Sequence, residues 1–329
     1  MKDIFVIIPI YNGEKYIARC LNSLFNQNLN NIKIICVNDG STDDSLSILN
    51  TFKNDNLFIV DKPNGGVSSA RNGGLDYLFK NFNDFYISFV DIDDFVDADY
   101  FEHLQNMLEK QNVDIACSSY FYEFQNHNKK YNQISEDTKF SSFEALKILL
   151  QDETVQSHSH CKLYSEKVWK NVRFPEDISW MEDQATIFKT FEKAHAGVFI
   201  SNYSGYHYWQ EGDSACRSTI SNKKVIQSIK GYMIPFLHDF KDFEKSEINE
   251  IKSVASSALA NVYLMMYPRF NKKLASASEL SDFKNIKLFI KRNKIIKKYK
   301  PLNKKERSKR FVYLYLKPFY SLIYKIFSK

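Results

Sequence analysis

The strongest chemical signal is Phe89-Val90-Asp91-Ile92-Asp93-Asp94, an apolar run that ends in three carboxylates within four residues. Carboxylates this close repel one another unless a cation neutralises them. Hard oxygen donors suit Mg²⁺ or Mn²⁺, which keep waters and take substrate phosphates into their shell. The plainer reading is an acidic loop capping a helix near Ala98, but a cap needs one acid, not three. A second acidic element, Trp180-Met181-Glu182-Asp183-Gln184, precedes a helical run over 185–191. Its acids fit an N-terminal cap and equally a general base at Asp183; from Asp183 alone the choice stays open.

Two further segments carry side chains that can bind. Val37-Asn38-Asp39-Gly40-Ser41-Thr42-Asp43 follows an apolar run. A turn with a helix cap explains Gly40 and Ser41, but not a carboxylate at the end of a strand. Placed there, Asp39 can accept a hydrogen bond from a base N–H and so read a nucleobase. Pro63-Asn64-Gly65-Gly66, with Ala70-Arg71-Asn72-Gly73-Gly74 beyond it, joins a permissive turn to a helix of small residues. Arg71 could reach a phosphate or hold an acid of the site in place.

These residues need a scaffold that gathers them. Over the first 120 residues, apolar runs at 4–9, 32–38, 57–60, 85–91 and 113–118 alternate with helical patterns at 14–26, 42–53, 67–80 and 98–111. That alternation predicts an α/β fold, a Rossmann-like, mostly parallel sheet with helices on both faces. Ligands of such sheets sit beyond the carboxyl ends of the strands, which puts Tyr11, Asp39 and Asp91 on one rim. Residues 119–140 read as a loop or hairpin. Ser141-Ser142-Phe143-Glu144 opens a helix with a capping box, and 197–209 reads as a strand. Beyond about Ser221 the pattern is helical. The expected division is therefore 1–220 and a helical C-terminal region, 221–329, with its boundary near 215–225.

Charge divides the chain as well. Residues 284–329 carry 16 Lys and Arg against one acid, Glu306, a balance of +15, whereas 1–283 hold 29 bases against 38 acids, −9. The basic tail contains Phe311-Val312-Tyr313-Leu314-Tyr315-Leu316 and Phe319-Tyr320-Ser321-Leu322-Ile323-Tyr324. Aromatic, aliphatic and cationic residues together suit the headgroup layer of an anionic membrane, although a helix docked on the body is the plainer reading. No recognised nucleic-acid motif accompanies the charge, so nucleic acid is not expected as a partner. No stretch of 18 apolar residues exists and no signal peptide is visible. The five cysteines, Cys20, Cys36, Cys117, Cys161 and Cys216, form no C-x-x-C pair and read as reduced thiols of a cytosolic protein.

Taken in order, these motifs resemble the inverting family-2 glycosyltransferases of the GT-A fold. The matching elements are Ile8-Pro9-Ile10-Tyr11-Asn12, Asn38-Asp39-Gly40-Ser41-Thr42-Asp43, Asn64-Gly65-Gly66 with Ala70-Arg71-Asn72, Asp91-Ile92-Asp93-Asp94, Lys162-Leu163-Tyr164 and Glu182-Asp183. They span about residues 3–218. The resemblance implies a nucleotide-sugar site, with Pro9, Tyr11 and Asp39 on the base, most often uracil, and with Asn64, Arg71, Asp91 and Ile92 lining it. It implies Mn²⁺ or Mg²⁺ on Asp93, with His207 as a further contact to metal or diphosphate, and Asp183 as the base that deprotonates the acceptor hydroxyl. The chain departs from the family pattern at Gly212-Asp213-Ser214-Ala215, where many members have Gly-Ser followed by an aliphatic residue.

The expected function is transfer of a sugar from a UDP-sugar to a glycan at the inner face of a bacterial membrane, on a lipid-linked oligosaccharide. An O-linked sugar on a secreted adhesin is the alternative acceptor. An inactive transferase serving as scaffold is the non-enzymatic alternative. A sugar nucleotidyltransferase would want a Gly-rich basic loop after the first strand, where Tyr11-Asn12-Gly13-Glu14 stands instead.

Overall fold

The computed structural model describes residues 2–131, 134–151, 155–211, 219–299, 301, 304–315 and 320. The chain divides into two compact units, residues 1–149 with 153–212 and residues 150–152 with 213–329.

The first unit opens with strand–helix repeats: β1 (Asp3–Ile10), α1 (Ile17–Phe25), β2 (Ile32–Asp39), α2 (Ser45–Leu49), β3 (Leu57–Lys62), α3 (Val67–Asn81), β4 (Phe85–Phe89), β5 (Phe95–Val96) and α4 (Tyr100–Lys110). It continues through β6 (Ile115–Glu123), β7 (Asn128–Tyr131), β8 (Thr138–Phe140) and α5 (Ser142–Gln151). The remaining elements are β9 (Lys162–Ser165), α6 (Glu166–Trp169), α7 (Ile187–Glu192) and β10 (Val198–Trp209). The sheet order is β3-β2-β1-β4-β9-β6-β10-β5, with β7 on β6 and β8 on β10.

Strands β3, β2, β1 and β4 are parallel, as the alternation predicts. The whole sheet is mixed, because β9 enters antiparallel between β4 and β6. Residues 119–131 resolve as a hairpin, with β6 running on to Glu123 and β7 returning against it.

The core follows from the apolar patterning. On one sheet face, Ile4, Val6 and Ile8 of β1 pack with the buried stripe Ile17, Cys20, Leu21 and Leu24 of α1 and with Tyr100, Phe101, Leu104 and Leu108 of α4. On the other, Phe5 meets Phe82 and Phe85 at ring separations of 4.5 and 5.6 Å. Gly74 lets α3 lie on β1, since a Cβ there would stand 2.6 Å from a methyl of Ile7. Helices thus cover both faces, and the polar strand ends are left at the rim. Cys20, Cys36, Cys117 and Cys161 are buried free thiols; Cys216 lies outside the described residues.

The second unit is helical: α8 (Asn222–Leu237), α9 (Lys245–Met266), a 3₁₀ turn at Tyr267–Arg269, α10 (Ala277–Arg292), α11 (Ile295–Lys298) and α12 (Lys304–Tyr315). Capping boxes begin α9 at Glu244 and α10 at Ser276. Tyr313 of the basic tail is buried, its ring 5.7 Å from Tyr263 and 5.4 Å from Tyr267, and Tyr320 donates to the Leu264 carbonyl at 2.7 Å. Phe311 and Tyr315 are 57% and 72% exposed. Among the described residues no helix is long and apolar enough to cross a membrane.

Candidate active site at the carboxyl rim of the sheet

One buried cation organises the rim. Arg71 is on α3, which small residues hold close to the sheet. Its Nη1 donates to Glu182 at 2.9 Å and to Asp183 at 3.2 Å, and its Nη2 to Asp91 at 3.0 Å. The guanidinium lies over the Phe174 ring. Burial alone pulls the arginine's pKa down, but the carboxylates of Asp183, Asp91 and Glu182 outweigh it and the net shift is upward. Glu182 is pushed up by burial and by Asp183 beside it. Arg71 thus contacts three carboxylates of the rim.

The two acidic motifs also separate from their capping readings. Helix α7 begins at Ile187 without a side-chain cap, and Asp183 supplies only its carbonyl to that turn. The carboxylates of Glu182 and Asp183 instead face Arg71. Asp91 lies two residues beyond the end of β4, while the N-cap position of α4 is held by Asp99, without a side-chain cap hydrogen bond.

The acids of Asp91-Ile92-Asp93-Asp94 go to different places. Asp91 is on the Arg71 side. Asp94 is wholly buried, accepting from the Tyr206 hydroxyl at 2.5 Å and the Trp209 amide at 2.8 Å. Burial, then Asp93 and Asp91, push its pKa well above the usual carboxylate range. Tyr206 also receives the Asp91 amide at 3.3 Å. Ile92 stands beside Gly13, where an added Cβ would lie 3.2 Å from it. Asp93 is half-buried, and its carbonyl accepts from Arg19 at 2.6 Å.

Asp93 offers one carboxylate, and no group of three or more His, Cys, Asp or Glu side chains among the described residues could hold a metal by itself. That donor set fits Mg²⁺ or Mn²⁺ completed by phosphate and water, because such ions are commonly held by one or two carboxylates. His207, on β10, sits between Phe95 and Phe121, with ring separations of 4.4 and 5.3 Å. Its Nδ1 meets Glu123 at 2.9 Å and its Nε2 meets Asp97 at 3.1 Å, so both ring nitrogens are engaged.

The other end of the rim forms a shelf. The loops after β1 and β2 are tied together: Asn12 accepts from the Thr42 amide at 2.8 Å, and Ser45 accepts from the Gly13 amide at 2.9 Å. Tyr11 projects from this pair of loops, 54% exposed, while Pro9 is buried within β1 opposite Val37. Asp39 is buried and holds the Gly65–Gly66 turn. Its Oδ1 accepts from Lys62 at 2.5 Å and Gly65 at 3.0 Å, and its Oδ2 from Gly66 at 2.7 Å. Asn64 donates to the Asp39 carbonyl at 2.9 Å. Gly40, at φ +67°, admits this approach; a Cβ there would lie 2.7 Å from the Asn64 nitrogen.

The sequence motifs assign no individual role to Lys62, to Tyr206 or to the residues just before β9. Lys62 ends a strand beside Asp39, a signal visible only once the strands are paired. The Gly212–Ala215 departure lies outside the described residues.

An open α/β sheet with helices on both faces and its acids gathered at the carboxyl rim, followed along the chain by a helical unit, defines a protein of the GT-A class. The chain belongs to glycosyl transferase family 2, whose family model matches residues 5–173. It is 33% identical over 215 residues to glycosyltransferase GlyA of Streptococcus pneumoniae serotype 4, covering 62% of this chain and 30% of that protein. It is 30% identical over 259 residues to the minor teichoic acid biosynthesis protein GgaB of Bacillus subtilis, covering 76% of this chain and 27% of that one. The chain thus spans about a third or less of the length of these two relatives. Among solved structures, S. aureus TarS 1–349 in complex with UDP-GlcNAc shares the fold, with a TM-score of 0.63 at 20% identity over 91% of this chain and 82% of that one. The Pyrobaculum calidifontis mannosyltransferase PcManGT, in complex with GDP-Man and Mn²⁺, has a TM-score of 0.53 at 13% identity, covering 99% and 87%.

Proposed function

We propose that residues 1–220 form the catalytic domain of a metal-dependent inverting glycosyltransferase that moves a sugar from a UDP-sugar to a hydroxyl of a growing surface glycan. The observation that carries this reading is the Arg71 bridge. One guanidinium holds Asp91, at the end of β4, and Asp183, from the segment before α7, on the same centre. Donor and acceptor groups must meet at such a centre.

In this reading Tyr11 is the platform for the uracil. Asp39 reads the base N–H; a carboxylate has about four lone-pair sites, and three donors among the described residues occupy it. Pro9 and Asn64 fix the backbone of that shelf, and Ile92 lines the ribose side next to Asp91. Asp93 would hold Mn²⁺ or Mg²⁺, which would supply Lewis-acid stabilisation of the leaving diphosphate. His207, fixed between Glu123 and Asp97, backs that side of the site. Asp183 takes the proton of the acceptor hydroxyl as that oxygen attacks the anomeric carbon opposite the leaving group. The C1–O bond to UDP breaks through an oxocarbenium-like centre. One displacement inverts the configuration.

The acceptor is a lipid-linked oligosaccharide at the inner membrane face, where the protein is peripheral. The basic tail supports this, with Phe311 and Tyr315 exposed beside Lys and Arg. Cationic and aromatic residues together favour an anionic headgroup layer. The names of relatives such as GgaB are consistent with surface-polymer synthesis.

The test is a hydrolysis screen of UDP-sugars with Mn²⁺, using wild type beside Asp93→Asn and Asp183→Asn. One UDP-sugar is consumed by wild type, and both variants lose that activity. If UDP with Mn²⁺ does not bind in calorimetry either, the reading fails in favour of an inactive scaffold. Flotation with anionic vesicles tests the lipid acceptor; absence of binding favours a sugar already linked to a secreted protein.

A further inference from the structure

The segment Gln156–Cys161 belongs to none of the roles above, yet the topology brings it to the centre of the rim. Because β9 runs antiparallel to β4, its first residue, Lys162, lies beside the carboxyl end of β4, where Ser88 donates to the Lys162 carbonyl at 2.8 Å. The chain entering β9 therefore crosses next to Asp91.

Lys162 is 1% exposed, and its ammonium donates to the carbonyls of Gln156, His158 and His160 at 3.1, 2.7 and 3.4 Å. A buried ammonium ringed by backbone oxygens fixes the backbone that supplies them. Ser157 ties the same segment to the catalytic acids, donating at 2.5 Å to Gln184, the neighbour of Asp183. His160 stacks on Tyr206 at 4.7 Å, and Tyr206 in turn receives the Asp91 amide. These contacts fix the backbone of His158, whose neighbours on either side reach Gln184, next to Asp183, and Tyr206, which holds the Asp91 amide.

The His158 ring is half-buried, 4.6 Å from the His160 ring and 6.1 Å from the Tyr208 ring. Neither ring nitrogen has a hydrogen-bond partner among the described residues. Burial holds the imidazole to a pKa of about 4, against the opposing pull of Asp183 and Asp91. It is therefore neutral at pH 7, with one nitrogen that donates and one that accepts. A neutral donor–acceptor pair flanked by an aromatic face suits a sugar hydroxyl, because a hydroxyl also does both. It does not suit a phosphate, which wants cations or donors only.

We propose that His158 is a specificity residue that hydrogen-bonds a sugar hydroxyl next to Asp183, held in register by Lys162 and Ser157. The inference rests on the transferase reading above. The hydroxyl belongs either to the donor sugar or to the acceptor, and the two are separable.

The experiment compares wild type with His158→Ala and His158→Gln. UDP affinity is measured by calorimetry. The KM for UDP-GlcNAc, UDP-glucose and UDP-galactose is measured in acceptor-free hydrolysis, and the KM for p-nitrophenyl glycosides in transfer. His158→Ala raises one sugar KM about tenfold, the equivalent of one hydrogen bond, and leaves UDP affinity unchanged. His158→Gln, which keeps a donor and an acceptor, restores most of it. A rise in the hydrolysis KM assigns the donor hydroxyl; a rise confined to the glycoside KM assigns the acceptor hydroxyl. Unchanged KM values in an active His158→Ala protein overturn the inference alone. So does an equal loss of UDP affinity and melting temperature in both variants, which marks a structural role. A wild type that neither binds UDP nor hydrolyses any of the three sugars overturns the transferase reading, and this inference with it.

Discussion

Asp91 and Asp94 stand three residues apart, yet they end in opposite environments. Asp91 shares a buried arginine with Glu182 and Asp183. Asp94 has a tyrosine hydroxyl and a backbone amide. A cation offsets the burial of the carboxylates beside it without consuming all their lone pairs. A hydroxyl and an amide satisfy a carboxyl group but do not offset its burial, so Asp94 is pushed toward its neutral form. Within one acidic motif, Asp94 fastens β10 to the end of β4 and Arg71 fastens the segment carrying Asp183 to the same point; under the proposed function the second is machinery and the first a buttress.

Arg71→Met gives the largest expected effect. It leaves three carboxylates without their buried cation, and removing one partner of a buried ion pair costs about 3–5 kcal/mol. Urea unfolding reads that loss, and transfer is abolished. A variant that unfolds at the wild-type midpoint would show that the acids find another cation. Next, Asp183→Asn lowers transfer by a factor of about 10²–10⁴, the usual worth of a general base, while UDP affinity measured by calorimetry holds.

Tyr206→Phe sharpens the other half of the comparison. It strips a donor from Asp94 and an acceptor from the Asp91 amide, a loss of about 1–3 kcal/mol in urea unfolding. Asp94→Asn is milder and retains turnover within a few-fold of wild type. Complete inactivation of Asp94→Asn with the fold intact would move Asp94 into the machinery and dissolve the distinction.

A further effect is in pH. His158 has a folded-state pKa of about 4 against an ordinary 6.5. Between those values the unfolded chain binds a proton that the fold refuses, so stability falls as pH drops from 6.5 toward 4. His158→Gln flattens this slope, read as melting temperature against pH. An unchanged slope would place the titration elsewhere.

Much of the scaffold was legible because its signals are local. The apolar runs and their spacing located β1 to β4, α3 and α4 within a few residues, and Asp91 fell at a strand end because polar residues stop where the buried strand stops. The mixed character of the sheet was not legible. Lys162-Leu163-Tyr164 reads the same whether it pairs parallel or antiparallel, and only its neighbours β4 and β6 decide. Nor could Lys62 be matched with Asp39, since their contact depends on the register between β2 and β3.

By itself, then, the sequence determined the strand–helix repeats from β1 to α4, the rim that gathers Tyr11, Asp39 and Asp91, and the choice between Arg71 as a phosphate contact or an anchor. Tertiary structure decided which carboxylates Arg71 meets. It also decided that Glu182 and Asp183 face Arg71 rather than cap α7, and that one acid of Asp91-Ile92-Asp93-Asp94 is a buried prop. The physical reason is range. Secondary structure and burial periodicity are set by neighbours along the chain, whereas the state of a carboxylate is set by whichever charge or hydroxyl the fold places within a few ångströms, here from residues 20 to 115 positions away.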